Sequence, residues 1–172
     1  MRYGCSATAS AGKMFLALAF TILLLQCVSP HDDSSVREGL HALETGDYPT
    51  AIALLRPQAE RGNKAAQRGV AWVCAFGLGT QEDDAEAAEW LALMTSTKKE
   101  LAGEEYDIAI ESLRGSARLQ SKERALRWME RSAVDGCAKA QQMLANSDAA
   151  EREGLVVPEA VREQWIARAV DK

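Results

Sequence analysis

The chain contains 172 residues, of which 47% are apolar, and its 20 basic residues against 25 acidic ones give a formal net charge of −5. This length suits a single folded domain, and the sequence has no low-complexity tract of the kind that indicates disorder. We expect no nucleic-acid partner, because binding to phosphates requires a basic surface that replaces their counterions.

The first 27 residues have the features of a secretory signal peptide or a lipoprotein signal. Arg2 and Lys13 are basic, no acidic residue occurs, and an apolar run extends from Met14 to Leu25. This run is shorter than the roughly 18 to 20 residues of a membrane-spanning helix, but it fits the apolar region of a signal peptide. Without residues 1–27 the chain keeps 18 basic and 25 acidic residues, a net charge of −7.

The end of the apolar run, Leu24-Leu25-Gln26-Cys27, resembles a bacterial lipobox, in which a leucine three residues before a cysteine precedes lipidation of that cysteine. Gln26 departs from the pattern, because Gly, Ala or Ser normally stands there. Three alternatives stay open: Cys27 is lipidated, the chain is a soluble exported protein, or residues 14–27 remain as a membrane anchor. Each alternative places the folded part outside the cytoplasm, in the periplasm or attached to the envelope membrane.

A polar linker is predicted over residues 28–34, and a repeat domain over residues 35–172. The first helix is predicted to begin near Ser35, and Asp47 is suited to cap the second helix. Pro57 lacks the N–H that would bond to Ala53, so we expect it to kink this helix or end its regular part.

The next connection is a glycine turn followed by a capped helix. Gly77 and Gly79 allow the backbone to turn sharply, and Asp83 is suited to the N-cap position. Glu86, three residues further on, is predicted to return the hydrogen bond as a capping box, and Trp90 is predicted to lie in the core. The surrounding acidic run lacks the ligand spacing of a calcium loop, so no metal site is expected.

The remaining helices follow from periodicity and turn residues. One is predicted from residue 101 to 114, and a second from 122 to 135 behind the N-cap Ser121. A last pair is predicted over residues 138 to about 153 and 158 to 171.

The chain also repeats itself at a fixed period. The anchor position of the second helix recurs at intervals of 36, 38 and 37 residues, at Leu54, Trp90, Trp128 and Trp165. A period of this size indicates a solenoid of helix–loop–helix units. The predicted units are about 35–62, 63–98, 99–136 and 137–172. Because the tryptophans repeat with helical spacing, we interpret them as packing residues.

These residues resemble the Sel1-like repeat, a relative of the tetratricopeptide repeat with a longer loop. Residues 62–92 fit the family pattern well, residues 137–170 fit in part, and the positions in register include Gly77, Gly79, Asp83, Ala87 and Trp90. Cys74 stands in place of the usual tyrosine, and Leu93-Met94-Thr95 in place of Lys-Ala-Ala, which suggests relaxed packing between units two and three. The resemblance implies an all-α, short right-handed α-solenoid preceded by a signal helix.

The resemblance also implies a non-catalytic protein–protein interaction scaffold or adaptor in the bacterial envelope, without a cofactor. In this repeat class the first helix of each unit lines the concave surface, where an unidentified protein or peptide partner would bind. Trp72 stands out, because the repeat demands no aromatic residue there, and it fits either partner binding or packing between helices. The side chains on this surface are Arg68, Trp72, Tyr106, Ile110, Gln142 and Asn146.

Catalytic motifs are nearly absent. The one match is Ser96-Thr97-Lys98-Lys99, which has the Ser-x-x-Lys spacing of penicillin-recognising enzymes but lacks their companion motifs. A cell-wall-active or penicillin-recognising hydrolase is therefore the alternative function, and the chain is expected not to be an enzyme. Cys74 and Cys137 are two repeats apart and are expected to be separate thiols, with Cys74 buried.

Overall fold

The computed structural model describes residues 33–170. The predicted signal segment, the lipidation site Cys27 and the linker up to residue 32 lie outside the described residues. Within residues 33–170, none of the helices combines the length and the apolar character needed to cross a membrane.

The predicted all-α fold is confirmed. In the described part of the chain the regular structure consists of nine helices: α1 (Asp33–Thr45), α2 (Tyr48–Glu60), α3 (Lys64–Phe76), α4 (Asp84–Met94), α5 (Lys98–Arg114), α6 (Lys122–Val134), α7 (Ala138–Ala145), α8 (Ser147–Arg152) and α9 (Glu159–Val170). Helices pack mainly against their neighbours in the chain, as in an α-solenoid. We name the units one (α1, α2), two (α3, α4), three (α5, α6) and four (α7 to α9).

Side-chain caps fix where most of these helices begin. The carboxylates of Asp47 and Asp83 and the amide oxygen of Asn63 accept hydrogen bonds from the first free backbone N–H groups of α2, α4 and α3. The hydroxyls of Thr97 and Ser121 do the same for α5 and α6. Each such cap contributes about 1 kcal/mol to the helix that it begins.

The glycine turn between α3 and α4 is required by one left-handed helix end and one close approach. Gly77 has a φ of +61° and ends α3 in the left-handed conformation. Gly79 has a φ of +73°, and a Cβ atom at this residue would lie 2.7 Å from the Cβ of Tyr48. Any larger side chain would therefore push the loop away from α2.

Two helix ends differ from those that the sequence suggested. Of the two alternatives at Pro57, an end to the regular part of the helix is wrong: the helix continues to Glu60, because Ala53, whose carbonyl loses a hydrogen bond, is exposed and can bond to water instead. The helix predicted from residue 138 to about 153 is interrupted at Asn146. There the side chain of Asn146 accepts hydrogen bonds from the N–H groups of Asp148 and Ala149 and begins α8.

The predicted capping box at Glu86 was also wrong. Asp83 accepts bonds from the N–H groups of Ala85 and Glu86, but the carboxylate of Glu86 does not return to Asp83. It accepts instead from Arg56 of α2 at 2.8 Å and from the indole N–H of Trp90 at 3.2 Å. A charged donor makes the stronger bond, so Glu86 joins units one and two.

The anchor positions differ in burial along the solenoid. Trp128 is fully buried and Trp165 nearly so, with relative exposures of 0% and 6%. Trp90 lies at the edge of the core, half-buried, where the sequence suggested a core position. Leu54, the equivalent anchor position in unit one, is also half-buried, while the adjacent Leu55 is fully buried.

Candidate partner-binding groove

A large depression lies between α3 and α5. Its volume is about 790 Å³. Leu40 and Leu43 of α1, Trp72 of α3 and Met94 at the end of α4 supply its apolar lining. Its charged lining comes from Lys64, Arg68, Glu100 and Glu104.

This groove exists because units two and three pack loosely. Helix α2 packs along α3, α6 packs along α7, and α1 also contacts α3. By contrast, α4 meets α5 only sparingly, and α3 and α5 make no comparable backbone approach in the described part of the chain. The relaxed packing suggested by Leu93-Met94-Thr95 agrees with this arrangement.

Arg68 connects the two sides of the groove. Its Nη2 atom lies 2.7 Å from Oε2 of Glu104 and 3.5 Å from Oδ2 of Asp107, both on α5. Half of the Arg68 side chain is exposed, so this pair is screened by water and contributes little to stability. Burial raises the pKa of Glu104, and Arg68 opposes that effect. Oε2 of Glu104 is shielded from solvent and receives no properly directed hydrogen bond.

Trp72 both packs against the core and lines the groove. Its ring lies 5.3 Å from the ring of Phe76, with the two planes tilted by 47°. Its Nε1–H is shielded from solvent and has no hydrogen-bond partner. An unpaired buried donor costs about 1 to 3 kcal/mol, so this side chain is not optimised for stability alone.

Tyr106 lines a second depression, of about 750 Å³, between α5 and the start of α7. Cys137 and Lys139 lie beside it, and Nζ of Lys139 lies 5.9 Å from the centre of the Tyr106 ring. Burial raises the pKa of Tyr106. Ile110, one turn further along α5, packs against the core and does not line either depression.

The last two predicted residues lie in unit four. Gln142 is exposed and lines a smaller depression of about 280 Å³ beside Trp165. Asn146 is occupied in capping α8. The structure thus places the six predicted residues in three separate depressions and two packing or capping positions, and of the six it brings only Arg68 and Trp72 into the groove between α3 and α5.

Sequence reasoning missed the residues that complete this groove. Leu40 and Leu43 pack against the core and also line the gap beside α3. Glu104 gave a signal that could have been used, because it lies four residues after Glu100 on the same face of α5.

Across the same junction, the acidic run around α4 binds arginines of unit three. Arg124 is nearly buried, and its Nη2 donates to Oε2 of Glu82 at 2.9 Å. Its Nη1 donates to the carbonyl of Leu119 at 3.1 Å, and its guanidinium lies 5.0 Å from the centre of the Phe76 ring.

Arg127 and Trp128 use the remaining carboxylate oxygens. Arg127 donates to Oδ2 of Asp84 and to Oε1 of Glu82, both at 2.6 Å, and the indole of Trp128 donates to Oδ1 of Asp84 at 2.8 Å. All four oxygens of Glu82 and Asp84 therefore accept hydrogen bonds from unit three. We call Arg118, Arg124 and Arg127 the arginine clamp, because Arg118 also reaches back and lies 4.7 Å from the centre of the Tyr48 ring.

Ser96 does not have the surroundings of an activated nucleophile. Ser96 and Lys99 are both exposed, and no hydrogen bond joins them in the described residues. The backbone N–H of Ser96 donates to Oε2 of Glu100 at 2.8 Å, as expected of a residue that precedes a helix.

The two described cysteines are free thiols. Cys74 is 1% exposed, and burial together with the adjacent Glu86 raises its pKa to about 12. A thiol with so high a pKa is unreactive, because the thiolate is the reactive form. Cys74 is thus the small buried apolar residue that was predicted.

No family model matches this sequence, and no curated protein matches it. Among solved structures, the chain is similar to a Sel1 repeat protein from Oxalobacter formigenes, with 23% sequence identity and a TM-score of 0.36. The similarity covers 81% of this chain and 58% of the other chain, so this chain spans less than two thirds of that protein.

Proposed function

We propose that the chain is a non-catalytic scaffold or adaptor of the bacterial envelope, and that it binds a protein or peptide partner in the groove between α3 and α5. The observation that carries the proposal is the groove itself, an apolar depression of about 790 Å³ lined by Trp72. Its volume lies within the range of functional binding sites, roughly 300 to 1,000 Å³. The resemblance of the repeat to Sel1-like sequences supports the same kind of function.

The chemistry of the lining supports binding of apolar side chains that carry charges at their flanks. Trp and Arg are the residue types most enriched where binding energy concentrates, and Trp72 and Arg68 are one turn apart on α3. Trp72 has an unpaired N–H, and the Arg68 pair is half-exposed. A partner that excludes water from the groove could therefore accept a hydrogen bond from Trp72 and strengthen the ion pair of Arg68.

Photo-crosslinking in living bacteria tests this proposal. A photoreactive phenylalanine analogue replaces Lys64, an exposed residue of the groove, or, as the control, Leu93, which is 66% exposed and lines none of the grooves described above. We expect a discrete crosslinked product from Lys64 and none from Leu93, and loss of that product in Trp72→Ala. Equal products from both positions, or a product that Trp72→Ala leaves unchanged in a protein with normal circular dichroism, would contradict the proposal.

The proposed location follows from residues 1–27. The apolar run and the lipobox-like residues before Cys27 favour export, with attachment to the envelope membrane through Cys27 or residues 14–27, or release into the periplasm. Fractionation of the full chain and of Cys27→Ser distinguishes these forms. Recovery of the full chain in the cytoplasm would contradict export.

The non-catalytic part of the proposal has a separate test. The purified protein is incubated with a labelled penicillin and with cell-wall fragments, and we expect neither labelling nor hydrolysis. Labelling that disappears in Ser96→Ala would contradict the proposal and favour the hydrolase.

A further inference from the structure

The junction between units two and three is built differently from the junctions on either side of it. Residues 95–97 form a short connection between α4 and α5, and Thr95 and Thr97 both have extended backbone conformations. The two helices that this connection joins pack only sparingly. Direct packing of these two helices therefore fixes the angle between the two halves of the solenoid less firmly than helix packing does at the junctions on either side.

Charged and aromatic contacts add to the shared apolar core at this junction. On the α4–α6 side, the clamp residues Arg124 and Arg127 bind Glu82 and Asp84. The third clamp residue, Arg118, lies over the ring of Tyr48 in unit one. On the α3–α5 side, Arg68 approaches Glu104 across the groove. Each of these contacts joins residues at least 36 positions apart.

Arg124 makes the closed arrangement a distinct state. Its side chain is only 9% exposed, and its Nε is shielded and unpaired. If the junction opens, the Arg124 guanidinium becomes hydrated and the Phe76 ring becomes exposed. The open state therefore replaces the contacts of Arg124 with Glu82 and Phe76 by hydrogen bonds from Arg124 to water. A charged contact that is partly removed from water is stronger than one in bulk water, and it weakens when the groups separate and water raises the effective dielectric constant between them.

We propose that the α4–α5 junction is a hinge that the arginine clamp holds closed, and that opening of this hinge changes the width of the groove. The walls of the groove belong to the two halves that the hinge joins: Leu40, Leu43 and Trp72 lie before it, and Glu100 and Glu104 lie after it. Rotation about the hinge must therefore move these walls relative to each other. Control of partner binding by the hinge rests on the proposed function, whereas the hinge itself does not.

Pulsed electron paramagnetic resonance measures this opening without a partner. Spin labels are placed on cysteines at the exposed positions Lys64 and Lys99, near the starts of α3 and α5, in the full chain with its native cysteines replaced. We expect a single short distance at low salt. At about 0.5 M salt, where the Debye length falls to about 4 Å, we expect the distribution to become broader and longer.

The double variant Arg124→Met, Arg127→Gln should show the longer distribution already at low salt. Its matched control is Arg114→Gln, because Arg114 is an exposed arginine that pairs with Glu153 at the next junction. We expect the control to leave the distance unchanged. Hydrogen exchange at the start of α5 should become about fivefold faster in the double variant, as expected for the loss of a modest charged contact, and should stay unchanged in the control.

An unchanged distance in the double variant, with normal circular dichroism, would overturn the proposal, and so would an equal shift in Arg114→Gln. If the double variant fails to fold, Arg127→Gln alone decides, because Arg127 is half-exposed and its loss leaves Arg124 paired. A failed partner crosslink leaves this result untouched, so failure of the proposed function and failure of the hinge are distinguishable.

Discussion

The junction between units one and two and the junction between units two and three connect the same kind of repeat by different forces. In the first, Gly69 of α3 approaches Leu55 of α2 so closely that a Cβ atom on the glycine would lie 2.8 Å from a Leu55 side-chain carbon. In the second, contacts of arginines with carboxylates and an aromatic ring add to the shared core. Close apolar packing fixes a geometry, whereas charged contacts leave room for a groove.

The largest effect should come from the packed junction. Leu55→Ala removes a fully buried side chain that α1, α2 and α3 share, and we expect it to lower the free energy of unfolding by about 2 to 5 kcal/mol. Urea denaturation followed by circular dichroism measures the change. Leu93→Ala is the control, since this leucine is 66% exposed and should change stability by less than about 0.5 kcal/mol. Equal losses in both variants would remove the distinction between the junctions.

Charge buried within unit three should make stability depend on pH. Glu105 is 1% exposed and burial raises its pKa to about 7, although Arg131 lowers it in part, and its Oε2 has no hydrogen-bond partner. Because the pKa in the folded state is higher than in the unfolded state, the folded state binds the extra proton, and stability falls as pH rises from about 4.5 to 7.

Glu105→Gln should therefore raise the free energy of unfolding at pH 8, by about 1 to 3 kcal/mol, and change it little at pH 4. Denaturation at both pH values checks this, with the exposed Glu100→Gln as the control. A variant that is equally destabilised at both pH values would show that the ionised Glu105 is well accommodated.

Substitution of an acidic partner of the arginine clamp should lower the free energy of unfolding, but by less than Leu55→Ala does. Glu82→Gln leaves the nearly buried Arg124 without its carboxylate, and we expect a loss of about 1 to 2 kcal/mol, since Glu82 is itself 37% exposed. Arg124→Met leaves no unpaired buried charge, so it should lower the free energy of unfolding by less than Glu82→Gln does. Urea denaturation of both variants shows which of them loses more stability. A larger loss in Arg124→Met would show that the contacts of the guanidinium stabilise the fold by more than its burial destabilises it.

The smallest effect should come from the groove. Trp72→Phe removes the unpaired indole N–H and keeps an aromatic ring near Phe76, so the lost apolar contact and the relieved donor offset each other. We expect the free energy of unfolding to change by less than about 1 kcal/mol. A larger loss, measured by the same denaturation, would show that Trp72 serves mainly to pack helices.

Local features of the chain were sufficient to predict much of the fold. The period of 36 to 38 residues and the caps Asp47, Asp83 and Ser121 gave the helix pairs and most of their starts. The groove and the clamp could not be predicted in the same way. They depend on pairs such as Arg68 with Glu104 and Arg127 with Asp84, which lie 36 and 43 residues apart, and the repeat pattern does not specify such partners.

Arg118 has a consequence for how the solenoid unfolds. In a one-dimensional repeat array each unit normally feels only its direct neighbours, so the ends can melt one unit at a time. The contact of Arg118 with Tyr48 links unit three to unit one across the loop of unit two, at Gly79. A cation–π contact contributes about 0.5 to 1 kcal/mol. We therefore expect this next-nearest-neighbour coupling to favour joint melting of the first three units over melting of unit one alone.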